Sequence, residues 1–405
     1  MLLKLAWRNI WRNKRRTAIT VASIFFAVFF AVFMRSMQLG IYGKMINNMV
    51  RAYAGYVQVH AKGYWDDQTL DNAFALDDPE LKKVTDHPNV TVAANRLEGF
   101  ALASFSEITK GIMLIGVDPE VEDKLMELSS KLVEGHRFDQ DDQSVILGKE
   151  LAEFLNAGMG DTIVFLSQGY HGSSAAGKYE VAGIAKFSSQ ALNQRLALLP
   201  LNEAQNFFGT ENMATSTAVI INEPGRAKEI AAEFRSTLDS SKYEVLDWEE
   251  AMPEIVQTIE ADSAGGIIML MVLYMVVTFG MFGTILMLVQ ERTYEFGVLL
   301  SIGMGRAKLW AVVFFEGLMM NLIGALLGVG GIYPLLVYFN KNPYELTGEA
   351  AQAIKGEGFE PLIPASLDPS ILVTHVGIVM IVSTLITLYP AWVISRMNPV
   401  QARRS

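Results

Sequence analysis

Cysteine is absent from this chain, which removes disulfides and is compatible with an oxidising compartment without pointing to one. Histidine is nearly absent. The five that occur, His60, His87, His136, His171 and His375, are scattered, with no H-E-x-x-H or other close ligand spacing, so no metal centre is expected. No G-x-S-x-G elbow and no G-x-x-x-x-G-K-[ST] phosphate loop occurs, so neither a catalytic constellation nor that nucleotide cradle can be read from the chain. Positive charge is scarce as well: the net charge is −10, and residues 40–264 hold 18 Lys and Arg against 35 Asp and Glu. A balance of that sign describes a well-hydrated body and argues against nucleic acid as a partner.

What the chain does have is long apolar runs. Ala18–Met34, Ile267–Val289, Leu309–Phe339 and Ile371–Ile394 each reach the roughly 20 residues that a hydrocarbon core of about 30 Å requires of a helix. The expected order is an amphipathic elbow (1–16), a first span (17–39), a large domain (40–264), a second span (265–289), a loop or helix (290–308), a third span (309–339), a short loop (340–369), a fourth span (370–394) and a tail (395–405). Lys4, Arg8, Arg12, Lys14, Arg15 and Arg16 precede the first span with no acid among them, which places the amino terminus in the cytoplasm. Four spans return the carboxyl terminus to that side, where Arg396, Arg403 and Arg404 agree, and Glu345, Glu349, Glu357, Glu360 and Asp368 mark the short loop as an outer one. The first span is expected to stay as an anchor, because no small-x-small cleavage site follows it in Arg35–Gly40.

Between the first two spans the period changes. Residues 56–60, 111–117, 144–147, 162–166, 179–185 and 217–222 read as strands, and 120–131, 150–156, 202–208 and 226–238 as helices. The expected body is α+β in two parts, a mainly β insert near 133–200 and flanking βα units. In the elbow, Leu3, Trp7, Ile10 and Trp11 recur at helical spacing while Lys4, Arg8, Arg12 and Arg15 fall elsewhere, as in a helix lying in the membrane interface.

After the second span comes Gln290-Glu-Arg-Thr-Tyr-Glu-Phe-Gly-Val-Leu-Leu-Ser-Ile-Gly-Met-Gly-Arg-Ala-Lys-Leu-Trp310. Charges at helical spacing, then the apolar stretch 296–302, then Gly303 and Gly305, predict a short amphipathic helix that docks a soluble partner. Glu316, about two turns into the third span, either pairs in the interior with Arg292 or Arg306 or snorkels to the interface. Phe25, Phe29 and Phe33 beside Phe26 and Phe30 form an aromatic stripe that serves helix packing, lipid contact or an acyl-chain wall.

Taken in order, the basic elbow with Arg-Asn-x-x-Arg-Asn-Lys-Arg-Arg, the Glu291-Arg292-x-x-Glu295-x-Gly297 loop, Glu316, and the end Tyr389-Pro-Ala-Trp…Asn398-Pro-Val-Gln-Ala-Arg403 resemble the FtsX-like ABC transporter permeases of the MacB, LolC and LolE type. In the large domain Glu134-Gly-His-Arg-Phe138, Val145-Ile-Leu-Gly148 and Gly160-Asp-Thr162 add to the resemblance. It implies a non-catalytic subunit of the bacterial inner membrane with a MacB-like periplasmic domain, whose ATP and Mg are bound by a separate pair of ATPase chains. It also implies a second permease chain, identical or homologous. By position, Glu291, Arg292, Glu295, Phe296, Gly297, Leu300, Gly303 and Gly305 would form the ATPase-coupling element, braced by Trp7, Arg8, Trp11 and Arg12 of the elbow.

The resemblance in layout to lipoprotein-releasing permeases implies a cargo groove between the first two spans, with Phe30, Phe33, Met34 and Met37 facing Ile267, Ile268 and Met271. A periplasmic lipoprotein carrier would dock at the hairpin holding Gly169, Tyr170, His171 and Gly172, although that segment lacks a proline-bearing apolar hook. The alternative within the family is a mechanotransmission permease that regulates a periplasmic enzyme such as a cell-wall hydrolase, or works with an efflux adaptor.

Overall fold

In hydrocarbon every backbone N–H and C=O must be satisfied within the segment that carries it, so an apolar run of spanning length folds as a helix. The computed structural model describes residues 2–187, 189–349, 351–352 and 361–397. Among these residues four helices are long and apolar enough to cross a membrane: Lys14–Met49, Pro253–Ser301, Arg306–Lys341 and Pro369–Arg396. The last is bent near Thr387, where Tyr389–Arg396 restarts with Pro390 in its first turn. The elbow Leu2–Arg12 is a separate helix preceding the first span. Asn398–Arg403, Arg404, Glu357 and Glu360 lie outside the described residues.

The chain divides into a membrane unit, residues 1–43, 259–345 and 362–405, and a second unit, residues 44–258 with 346–361. Small residues let the membrane helices approach closely, as packing in lipid favours. A Cβ at Gly324 would sit 2.7 Å from Ile24 Cβ, and one at Gly328 2.9 Å from Val28 Cβ, so the first and third spans meet across these glycines. The elbow buries Ala6 and Ile10 and exposes Leu3, Trp7 and Trp11, so the face turned to the protein is not the tryptophan stripe.

The second unit is built on one ten-stranded sheet. Its strands are β1 (Val57–Ala61), β2 (Val90–Phe105), β3 (Ile108–Val117), β4 (Leu132–Gly135), β5 (Ser144–Gly148), β6 (Thr162–Gln168), β7 (Ser174–Ala185), β8 (Leu196–Pro200), β9 (Ser216–Ile221) and β10 (Tyr243–Asp247). β10, β1, β9, β2 and β3 pair antiparallel in that order. β3 then pairs with β8, β8 with β5, β5 with β7, β7 with β6, and β6 returns to β2. Six strands thus close into a barrel that shares the long β2–β3 hairpin with the open sheet.

The closure explains the core. Ala101 and Ala103, Ile112 and Leu114, Val145 and Leu147, Ile163 and Phe165, and Ala197 and Leu199 are buried at the two-residue period of a strand, forming one cluster with Phe207 and Phe208 from the helix Leu201–Phe208. Burying each large apolar side chain contributes roughly 1.5–3 kcal/mol. The expected β insert at 133–200 omits the hairpin arm 97–114, which supplies two staves of the barrel. The flanking lobe buries Val57, Val59, Ala218, Ile115 and Val117 against Leu125, Ile230 and Phe234 of the helices Pro119–Met126 and Ala227–Thr237.

Candidate functional site

At the elbow end of the membrane unit, carboxylates and guanidiniums converge in a place where an unpaired charge is costly. Glu316 is 1% exposed on the third span. It accepts hydrogen bonds from Arg16 Nη2 at 2.8 Å, Arg292 Nη1 at 2.7 Å and Asn9 Nδ2 at 3.4 Å. Arg292 also reaches Glu295, Nε to Oε2 at 3.3 Å, and its guanidinium lies over the Phe296 ring, 5.5 Å from the centroid. Arg12 of the elbow closes the chain by an ion pair with Glu295. One network of charge therefore ties together the elbow, the start of the first span, the end of the second and the third. Two cations shared by one buried carboxylate, each hydrogen-bonded, meet the condition under which a buried ion pair is tolerated.

Of the two partners expected for Glu316, Arg292 is present, whereas Arg306 donates to the Met397 carbonyl at 3.1 Å. Phe296 is buried with Leu309, Val313, Ile394 and Met397, and Leu300 packs against this cluster. The expected separate docking helix is corrected. Residues 290–301 continue the second helix without interruption to Ser301, because nothing in them breaks the hydrogen-bond ladder, and the turn comes only at Gly303. That glycine has φ +98°, a conformation that L side chains rarely adopt, and Gly305 caps the third span. Ile302 is exposed at this turn, and Glu291 and Tyr294 are exposed on the helix before it. Trp7 and Trp11 pack edge to face, 5.8 Å apart, and Arg8 is exposed next to them.

Farther along the same unit an apolar groove of about 1090 Å³ opens between the first and second spans. Phe30, Phe33, Met34 and Met37 line it from the first span, and Gly266, Met269, Val272, Leu273 and Val276 from the second. Ile267, Ile268 and Met271 do not line it and are corrected: with 3.6 residues per turn, the groove-facing set is 262, 265–266, 269, 272–273 and 276, and the three expected residues fall on other faces. Of the aromatic stripe, Phe30 and Phe33 reach this wall, each stacked on a neighbour one turn earlier, Phe26 on Phe30 at 5.9 Å and Phe29 on Phe33 at 6.5 Å, while Phe25 and Phe29 face Gly331 of the third span. Gln38 and Asp262 sit at one end of the groove. Asp262 accepts from Tyr42 Oη at 2.5 Å and from Gln38 Nε2 at 3.0 Å, and Arg35 donates to Gln38 at 2.7 Å.

Residues 267–399 match the FtsX-like permease C-terminal family, and residues 17–237, more than half of the chain, match the MacB-like periplasmic core domain. The chain belongs to the FtsX-like permease family. Similar curated proteins include the lipoprotein-releasing system transmembrane protein LolC of Xylella fastidiosa, 24% identical over 78% of both chains. The LolC of Neisseria meningitidis is 21% identical over 92% of this chain and 88% of its own. LolE of Haemophilus influenzae is 21% identical over 80% of both chains. Among solved structures, the periplasmic region of MacB from Actinobacillus actinomycetemcomitans aligns with 53% of this chain and 98% of that one, at 16% identity and a TM-score of 0.36. This is thus an ABC transporter permease of the LolC, LolE and MacB type, a class that works with separate ATPase subunits.

Within the permease's MacB-like core, Gly169, Tyr170, His171 and Gly172 form the tip of the β6–β7 hairpin. Gly169 N–H donates to Ser173 O at 2.7 Å, and the His171 N–H donates to Asp71 Oδ1 at 2.9 Å, so the tip is tied to the neighbouring turn. His171 and Gly172 both have positive φ, 51° and 75°. Among the described residues no group of three or more His, Asp or Glu could hold a metal. His60 is buried with its ring nitrogens 3.0 Å from Thr215 O and Gln58 Oε1, and burial pushes its pKa below the ordinary value. Arg96 is buried against Glu122. Burial disfavours its charge, but the facing carboxylate outweighs that and holds its pKa above the usual value.

Asn9 and Arg16 in the Glu316 network escaped the sequence reading, as did Met269, Val272 and Leu273 in the groove. The basic run around Arg16 reads as a topology signal, so nothing in its spacing singles out one arginine. The groove face was recoverable from the helical phase through Gly266, Met269 and Leu273.

Proposed function

We propose that this permease couples ATP hydrolysis by a separate pair of ATPase chains to a periplasmic movement that lifts lipoproteins, or similarly lipidated cargo, out of the inner membrane. The observation that carries the reading is the groove between the first and second spans. Its walls are mainly Phe, Met, Val, Ile and Leu, with Gln38, Asp262 and Tyr344 as the polar residues, a surface suited to irregular acyl chains. The relatives named as lipoprotein-releasing proteins support it. In this reading both termini are cytoplasmic, by the cations of the elbow, and the large domain is periplasmic.

The ATPase would bear on the turn around Gly303 and on the exposed Glu291 and Tyr294. Its stroke would pass through Arg292, Glu295 and Glu316 to the first and third spans. A second permease chain would complete the assembly, and a soluble carrier would receive the cargo at the Gly169–Gly172 hairpin.

The test is reconstitution of the chain with its co-purifying ATPase in proteoliposomes loaded with a triacylated lipoprotein. ATP-dependent transfer of the lipoprotein to the soluble phase with carrier present, lost on Met34→Asp, is the expected result. ATP hydrolysis with no lipoprotein transfer under any condition would overturn cargo lifting and favour regulation of a periplasmic enzyme.

A further inference from the structure

The second unit holds a partly open pocket of about 310 Å³ that takes no part in the reading above. Its wall carries Tyr53, Tyr64, Trp65 and Phe100, with the Glu98 carboxylate among them. Aromatic faces are negative at the centre, and a carboxylate held among them adds a full charge, so the combination attracts a cation with an apolar surface.

Glu98 is fixed by direct hydrogen bonds from uncharged donors, while the buried Arg96 guanidinium, 5.2 Å from the Tyr53 ring centroid, acts on it only at longer range. Its Oε2 accepts from Tyr53 Oη at 2.9 Å and its Oε1 from Ser216 Oγ at 2.8 Å, both uncharged donors. Among the described residues no cation lies within ion-pair distance of it. The nearest candidate, Arg96, is committed elsewhere: Nε and Nη2 go to Glu122 and Nη1 to the Tyr53 carbonyl. Each carboxylate oxygen has a second lone pair still available. The aromatic walls are also held in place. Tyr64 stacks on His60 at 4.9 Å, and the Trp65 backbone N–H donates to Glu244 Oε1 at 2.7 Å, which fixes the chain that carries the indole.

We propose that this cavity binds a small organic ammonium ion, its charge on Glu98 and its alkyl groups against Tyr64, Trp65 and Phe100. The volume suits a molecule of choline size and excludes a folded partner. The site lies wholly in the second unit, and its occupancy is independent of whether lipoproteins are the cargo.

The experiment is calorimetric titration of the full chain in nanodiscs with choline, with ethanolamine, and with 3,3-dimethylbutanol as the uncharged isostere of choline. Saturable binding of choline or ethanolamine and none of the alcohol is expected. Glu98→Gln keeps the acceptor for Tyr53 while removing the charge, and Trp65→Leu removes one wall. Each should weaken binding at least about tenfold, the equivalent of roughly 1.4 kcal/mol, with the thermal unfolding midpoint of each variant unchanged. Equal binding of the alcohol, no binding of either ammonium ion, or undiminished affinity in folded Glu98→Gln would each overturn the proposal.

Discussion

Glu316 and Glu122 are the two carboxylates whose removal the protein should feel most. Each is almost wholly buried against arginine, and deleting the acid leaves a buried guanidinium uncompensated. Glu122→Leu should destabilise the large domain by about 3–5 kcal/mol, read as a lowered midpoint for its transition in denaturant. The double variant Glu122→Leu with Arg96→Met should recover most of that loss, because a well-packed apolar pair of similar volume is often neutral. Glu316→Leu should lower the melting temperature in detergent and abolish ATP-coupled activity, while Glu291→Gln, on an exposed side chain, should leave the melting temperature unchanged. The sequence disclosed only part of these contacts. A glutamate two turns into an apolar run announces a partner, and Arg292 at the end of the neighbouring run was the evident one, but Arg96 and Glu122 are 26 positions apart in a polar domain where charges look like surface.

Among elements, the spans were the most legible, since a run of 20 apolar residues has one stable solution in lipid. Strands were legible where β-branched residues cluster, as in Thr162–Gln168 and Ser216–Ile221, and illegible in Val90–Phe105, whose Arg96, Glu98 and Gly99 interrupt the apolar pattern. Their reasons are tertiary: Arg96 is matched by Glu122, and Gly99 has no room for a Cβ, which would lie 2.6 Å from the Phe208 ring. If the groove holds cargo as proposed, the helical phase of each residue decides its effect. Val272→Asp, which puts a charge into the groove, should cut lipoprotein release at least about tenfold, whereas Ile268→Ala, on another face, should leave it within about twofold; a release assay in proteoliposomes compares them. Equal loss from both would show that helix packing, and not the groove wall, is what the assay senses. The turn at Gly303 makes a further demand on its residue, since φ +98° costs a β-branched side chain about 1–2 kcal/mol. Gly303→Val should therefore uncouple ATP hydrolysis from release while leaving the large domain's unfolding unchanged.

At the scale of the whole molecule, purification of the tagged chain in mild detergent from its native membrane should bring down an ABC ATPase, identified by mass spectrometry, because members of this family work with ABC ATPase partners. The same preparation should contain acylated lipoproteins if the groove works as proposed. Recovery of the chain alone would remove the ATPase partnership on which the coupling network is interpreted. The six-stranded closure of the second unit bears on a different property, its behaviour towards its own kind. A sheet of ten strands ordinarily ends in two long rows of unpaired amides that invite edge-to-edge growth. Here the path of pairing ends at β10, five residues with Glu244 and Asp247, and at β4, four residues with a register shift, Glu134 and Gly135. Short, acidic and irregular termini leave little template for fibril-like stacking, so this domain can crowd at high density beside a membrane and remain colloidally stable.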